Sequence, residues 1–352
     1  MSQPGFRYVA ILAWLSDPSF SQNNEKQKEH DRPEIGLVLS GGAAKGIAHI
    51  GVLKVLEEVG IRPDYITGTS MGAIIGGLYS IGYTPEEMED LTSTIDWDKI
   101  LTDRVPLDKI VMEEKEEFER YFLEFPIRNF EFKLPSGLTE GYQLEKWFND
   151  LTWNAAEIED FDSLPIPFHC MAVDIVEGKA VEFDSGHLAT AMRASMAIPG
   201  VFATTRIDSM MLVDGGVIRN LPVQEVIDMG ADIVIAVYVG FEEDITPDDL
   251  FSLSDVLTRT TIFLGVIDSK KQMELSDILI EPDMSGISAT DFFSSKTIIK
   301  RGEEATRKLS AELKNLVDSL NLEFHPVEKP EGPAFIYISD VKAENLRYVE
   351  ES

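Results

Sequence analysis

With one cysteine, five histidines and half as many cations as anions, this 352-residue chain has few ways to do chemistry. The lone Cys170 excludes an internal disulfide and a cysteine-built zinc site, and its apolar neighbours mark it as a buried, inert thiol. Lys and Arg number 31 against 62 Asp and Glu, a formal charge of −31. So acidic a chain argues against a nucleic-acid partner and against electrostatic docking on anionic lipid. Any membrane contact is expected to be apolar or made on a zwitterionic surface. Long apolar runs are scarce as well. Tyr8 to Leu15, "YVAILAWL", has the length of a signal-peptide core and is too short to span a bilayer. Residues 16–33 are polar and read as a linker. No other stretch is long enough to cross a membrane.

Hydrophobic content is 44%, ordinary for a globular protein. Strands and helices alternate along the chain. Glu34–Leu39 reads as a continuous apolar strand. Ile47–Val59 has helical spacing, with Ile50, Leu53 and Leu56 on one face and Lys54, Glu57 and Glu58 on the other. Asp64–Thr67 reads as a short strand and Met71–Tyr79 as the helix after it. Thr84-Pro85-Glu86-Glu87 opens another helix with a capping box. Further strands are expected at Pro167–Val176, Lys179–Phe183, Met210–Val213, Asp232–Val239 and Asp277–Ile280. Helices are expected at His187–Ala197, Pro222–Met229, Phe251–Leu275 and Thr297–Leu320. This order predicts an α/β fold, with a mainly parallel central sheet covered on both faces in three α/β/α layers. Residues 97–134 mix charges with aromatics from Trp97 to Phe132. They read as a hairpin packed on the sheet or, more sharply, as a lid or lipid-facing wall.

Two stretches carry chemistry. Gly68-Thr69-Ser70-Met71-Gly72 is a G-x-S-x-G pattern between a strand and a helix, the context of a nucleophile elbow. Ser40 to Gly46, "SGGAAKG", ends the first strand and opens a helix. Its small residues leave backbone N–H groups free to face an anion. It lacks the spacing of a nucleotide P-loop, and beside an elbow an oxyanion hole is the better use. The N–H of Met71 adds a donor there. A serine nucleophile needs a base, and the five histidines are poorly placed for that role. His30 lies in the linker and His325 in the Pro-rich tail. His49 sits on the first helix, His169 is mid-strand, and His187 starts a helix where capping suits it. Asp214 fits better: it ends an apolar strand and two glycines follow it. A buried carboxylate there has a raised pKa and can take the serine proton directly. Each motif alone also has a plainer reading, a glycine-rich packing turn with an inert serine and an aspartate that caps a turn.

Taken in order, "SGGAAKGIAHIGVLKVLEE", "ITGTSMGAIIGGLYSIGYTPEE", "MRASMAIPGVF" and "LVDGGVIRNLP" resemble the patatin-like phospholipase family over about residues 34–310. The resemblance implies a patatin-like fold and a Ser–Asp dyad without histidine, with Ser70 as nucleophile and Asp214 as base. It implies an oxyanion loop at Gly41, Gly42 and Ala43, and acyl esters of phospholipids or other lipids as substrates, with no metal or cofactor. One position departs from the family pattern: Ala43 stands where a third glycine is usual. If that position needs φ > 0, alanine is strained there and a donor is tilted. The expected organisation is an N-terminal segment at 1–33, a hydrolase domain at 34–322, and a linker with the start of a POTRA-like module at 323–352. That tail, with the N-terminal apolar run, implies a bacterial cell-envelope or secreted protein, with a cytoplasmic one as the alternative, working transiently at a membrane or micelle surface. Two rival expectations keep the same scaffold: a carboxylesterase for small esters, and a lipid-binding protein with a weakened oxyanion loop.

Overall fold

The computed structural model describes residues 32–103, 127–128, 131–132, 137–240 and 253–334. The expected signal segment, most of the aromatic stretch 97–134 and residues 335–352 of the expected POTRA-like start lie outside the described residues.

In chain order the first elements are β1 (Ile35–Leu39), α1 (Ala48–Val59), β2 (Tyr65–Thr69), α2 (Met71–Ser80), α3 (Pro85–Thr94) and α4 (Trp97–Thr102). Three short strands follow, β3 (Ile127–Arg128), β4 (Glu131–Phe132) and β5 (Gly137–Thr139), then α5 (Tyr142–Thr152). The second half holds β6 (Phe168–Asp174), β7 (Lys179–Phe183), α6 (Leu188–Ser195), β8 (Gly200–Phe202), β9 (Thr205–Ile207) and β10 (Met210–Asp214). It closes with α7 (Val223–Met229), β11 (Ile233–Val237), α8 (Leu253–Met273), β12 (Ile278–Ile280), α9 (Ser295–Lys308) and α10 (Ser310–Leu320).

The main sheet runs in the order β12-β11-β1-β2-β6-β10-β9, with β7 added on β6. From β12 to β6 every neighbouring pair is parallel. Both faces are covered. Along β1, Leu37 and Leu39 join the larger core and Val38 the smaller core on the other side. In β11, Ile235 and Val237 divide from Val234 and Ala236 in the same way. That period-2 division, with every β1 residue buried, is what a sheet between two helical layers produces. The expected three-layer α/β fold is the one observed.

Local signals account for several boundaries. Thr84 Oγ1 accepts the Glu87 N–H while the Glu87 carboxylate accepts the Thr84 N–H, the capping box that starts α3. Gly60, at φ 93, ends α1 in the left-handed conformation. Two expectations need correction. The single closing helix is two: α9 ends at Lys308, α10 starts at Ser310, and the Ser310 hydroxyl donates to the Arg307 carbonyl at the break. Residues 97–102 do not enter a hairpin. Asp96 caps a helical turn there, and Trp97 is buried against Trp147 and Phe292, with ring centroids 6.3 and 4.8 Å away.

The topology also sets the site. One edge of β6 is shared end to end by two strands. β2 pairs with it up to Thr69↔Met171, and β10, running the other way, pairs from Asp214↔Ala172 onward. The C-terminal ends of β2 and β10 therefore meet head-on at neighbouring residues of β6. Ser70 follows one and Asp214 ends the other.

Candidate active site

Ser70 stands at φ 54 and ψ −121, a backbone conformation that residues with a side chain rarely adopt. The turn from β2 to α2 holds it there, and the Ser70 N–H donates to Ser195 Oγ at 2.9 Å. The flanking glycines are required by packing. A Cβ on Gly68 would lie 2.5 Å from the Gly72 carbonyl oxygen, and one on Gly72 would collide with the Leu39 carbonyl. The G-x-S-x-G pattern is thus the imprint of helix α2 pressed directly onto β1 and β2.

The Ser70 hydroxyl donates to Asp214 Oδ2 at 2.6 Å. Both side chains are buried, with 4% and 8% of their surface exposed. The other carboxylate oxygen, Oδ1, accepts the Gly216 N–H at 2.7 Å, and the Asp214 N–H donates to the Ala197 carbonyl at 3.0 Å. Burial raises the Asp214 pKa to about 6, against the opposing pull of its bonds from Ser70 and Gly216. The carboxylate is therefore anionic at neutral pH, yet basic enough to accept a proton.

The glycine loop lies against this pair. A Cβ on Gly41 would sit 3.0 Å from Ser70 Cβ, and one on Gly46 would meet Met71 Cβ at 2.5 Å. Among the described residues, the N–H groups of Gly42, Ala43 and Met71 have no acceptor. Gly41 departs from expectation: its N–H is engaged by the Asn220 carbonyl at 3.3 Å, so it makes room and does not offer a donor. Ala43 sits at φ 47, the left-handed conformation that favours glycine. The departure from three glycines thus falls at a position where it is strained.

None of the four described histidines, His49, His169, His187 and His325, bonds Ser70. His49 is fully buried, donates from Nε2 to the Ser40 carbonyl at 2.8 Å, and is lowered by burial to a pKa of about 4. His169 pairs with Glu182 at 2.6 Å and Asp162 at 3.2 Å. His187 occupies the N-cap position of α6 without a capping bond; its Nδ1 meets Thr190 Oγ1 at 3.1 Å. Cys170 is buried and its thiol pKa is pushed up by burial. Among the described residues no group of three or more His, Cys, Asp or Glu is placed to hold a metal ion.

Two polar residues at the site escaped sequence reasoning. Ser195 lies in "MRASMAIPGVF", where only its place next to a helix end hinted at a role. Asn220 follows the Asp-Gly-Gly turn. It is fully buried, and neither its amide oxygen nor its nitrogen has a partner.

A strained serine at a strand-to-helix turn, bonded to a buried carboxylate beside a glycine loop, places the molecule among α/β proteins built around a nucleophile elbow. The family model "Patatin-like phospholipase" matches residues 37–227. The chain belongs to the patatin-like phospholipase family. It is 33% identical over 211 residues to an uncharacterized NTE family protein of Mycobacterium bovis, covering 60% of this chain and 50% of that one. It is 33% identical over 293 residues to Lysophospholipase NTE1 of Kluyveromyces lactis, covering 76% of this chain and 18% of the relative. The chain thus spans at most about half the length of these relatives. Among solved structures it is similar to VipD from Legionella pneumophila, with a TM-score of 0.44 and 17% identity, over 80% of this chain and 67% of that one.

Proposed function

We propose that the protein is a lipid acyl hydrolase that cleaves carboxylic esters with Ser70 as nucleophile and Asp214 as base. The observation that carries this reading is the 2.6 Å bond from Ser70 Oγ to a buried Asp214 carboxylate whose pKa is raised to about 6. In the first step the Ser70 hydroxyl gives its proton to Asp214, and its oxygen bonds to the ester carbonyl carbon. The carbonyl oxygen becomes an oxyanion, which the N–H groups of Gly42, Ala43 and Met71 receive. Collapse breaks the bond to the alcohol oxygen, which leaves with the proton held by Asp214. Water then attacks the acyl-serine and gives its proton to Asp214; the acid departs and Ser70 recovers its hydrogen.

Two features favour lipid esters over small ones. A narrow apolar pocket is lined by Met71, the residue after the nucleophile, by Ile74, Ile75 and Leu78 of α2, and by Trp97 and Trp147. Its apolar lining is of the kind that an acyl chain requires. The name of the Kluyveromyces relative, Lysophospholipase NTE1, points to a lysophospholipid as substrate. Among the described residues no helix is long and apolar enough to cross a membrane. Contact with a bilayer or micelle is transient in this reading, and the strong negative charge makes it apolar. A small-ester carboxylesterase is the rival.

Mass spectrometry of mixed phospholipids and lysophospholipids after incubation, run beside p-nitrophenyl esters of increasing chain length, separates the two. Release of fatty acid from lipids, with rates rising with chain length, is expected. Cleavage confined to short esters contradicts the lipid reading.

A further inference from the structure

The Asn220 side chain is the least explained polar group near the dyad. Its amide is fully buried, and both Oδ1 and Nδ2 lack partners. An unpaired buried amide is costly, so a protein retains one where it has something to meet. Its position is closely fixed. The Arg219 carbonyl accepts Thr69 Oγ1 at 2.9 Å, the Asn220 carbonyl accepts the Gly41 N–H at 3.3 Å, and the Pro222 carbonyl accepts Thr67 Oγ1 at 2.7 Å. The segment is thus tied to the strand that carries Ser70 and to the glycine loop.

The amide lies near the carboxylate, both flanking Gly216. A Cβ on Gly216 would lie 3.0 Å from both Asn220 Oδ1 and Asp214 Oδ1, and a Cβ on Gly41 would lie 2.6 Å from Asn220 Oδ1. Glycine at 41 and 216 leaves the space that the amide fills. Asp214 Oδ1 accepts one hydrogen bond, from Gly216, and retains capacity for another. An Asn amide presents oxygen and nitrogen from nearly equivalent positions, so a half-turn brings Nδ2–H to where Oδ1 now lies, without change of shape. Near an anionic carboxylate, the donor end is preferred.

We propose that Asn220 is a positioning residue: its amide donates to the Asp214 carboxylate and holds it in line with the Ser70 hydroxyl. This rests on the Ser70–Asp214 reading above. Charged and titratable side chains on the surrounding elements do not take this role. Asp174 accepts the Val176 and Met211 N–H groups, Arg193 bonds the Glu140 and Ala203 carbonyls, and His169 holds Glu182 and Asp162. Arg219 pairs with Glu225 at 3.1 Å and with Asp268 of α8 at 3.3 Å.

The test is the pH dependence of kcat/KM on a soluble p-nitrophenyl ester. The wild type, Asp214→Asn, Asn220→Leu and Asn220→Asp are compared, each checked for a native melting transition. Ser70 and Gly216 alone leave Asp214 at about 6, so with the Asn220 donor added the wild type is expected to lose activity only at a pH below 6. Without the donor the carboxylate is more basic, so in Asn220→Leu this acid limb moves up by about one pH unit, as loss of a hydrogen bond to a charged group implies. At pH 7, where protonation alone changes the rate by at most about twofold, the misaligned carboxylate lowers kcat about tenfold or more and KM stays within about threefold. Asn220→Asp, of nearly the same shape, moves the limb further up by adding a like charge, and gives a reading if the leucine variant does not fold. An acid limb that stays in place in a folded Asn220 variant overturns the proposal while leaving the dyad intact. Full activity in Asp214→Asn overturns the dyad first.

Discussion

Replacing Asp214 by Asn should stabilise the protein while removing its activity, and the gain should depend on pH. Burial raises the folded-state pKa of Asp214 to about 6, from the 3.8 of an exposed aspartate. Below pH 4 the carboxyl is protonated in both folded and unfolded chains, and the folded state bears no penalty. Between about pH 4 and 6 the folded chain retains a proton that the unfolded chain releases, so stability falls as pH rises. Above pH 7 the full difference applies, about 3 kcal/mol at ~1.4 kcal/mol per pKa unit. Asn is neutral throughout. It retains an acceptor for the Gly216 N–H, and the Ser70 hydroxyl can turn to suit it. Urea unfolding followed by tryptophan fluorescence should show Asp214→Asn more stable than the wild type by about 3 kcal/mol at pH 8 and by about half that at pH 5. Groups that titrate alike in both proteins cancel in this difference. A variant no more stable than wild type at pH 8, or a gain that does not vary with pH, would refute the claim that Asp214 is a buried carboxylate held against its own desolvation.

Other perturbations act on neighbouring features. Ala43→Gly relieves the φ 47 backbone of the glycine loop, and short-ester turnover should rise several-fold with KM within about threefold; an unchanged or lower rate would mean that the loop donates fully as it stands. Gly68→Ala drives a methyl group to 2.5 Å from the Gly72 carbonyl, so the variant should fail to fold or lose its melting transition; a native-like melt would show that the elbow can shift. Burial lowers the His169 pKa, but its bonds to Glu182 and Asp162 outweigh burial and raise it. The stabilisation from that clasp is fully present below about pH 6.5 and is lost as pH rises through the raised value. His169→Gln should therefore lower the melting temperature more at pH 6 than at pH 9, with ester hydrolysis retained to at least a tenth; an equal loss at both pH values, or abolished activity, would contradict this.

Much of the architecture was legible because the signals were local. Apolar strands alternating with amphipathic helices carried the parallel sheet, and Thr84-Pro85-Glu86-Glu87 carried the start of α3. Asp214 could be picked out because so few histidines were available and because its Asp-Gly-Gly turn ends an apolar strand. What stayed hidden was relational. That β2 and β10 meet head-on along β6 depends on register across more than 100 residues, which no local pattern encodes. Ser195 and Asn220 are ordinary polar residues until the chain folds one onto the Ser70 N–H and buries the other beside Gly41 and Gly216. The commitment of the Gly41 N–H to Asn220 was invisible for the same reason. The break between α9 and α10 at Leu309 had no glycine or proline to mark it.

The central claim is that Ser70 is a nucleophile activated by Asp214 without a histidine. Labelling with a fluorophosphonate probe, followed by peptide mass spectrometry, tests it most directly, because the adduct forms only on an activated serine. The account predicts one adduct, on the peptide containing Ser70, formed by the wild type and by His169→Gln and His187→Ala. It predicts none in Ser70→Ala and little in a folded Asp214→Asn. An adduct on another residue, or undiminished labelling of Ser70 in Asp214→Asn, would contradict it.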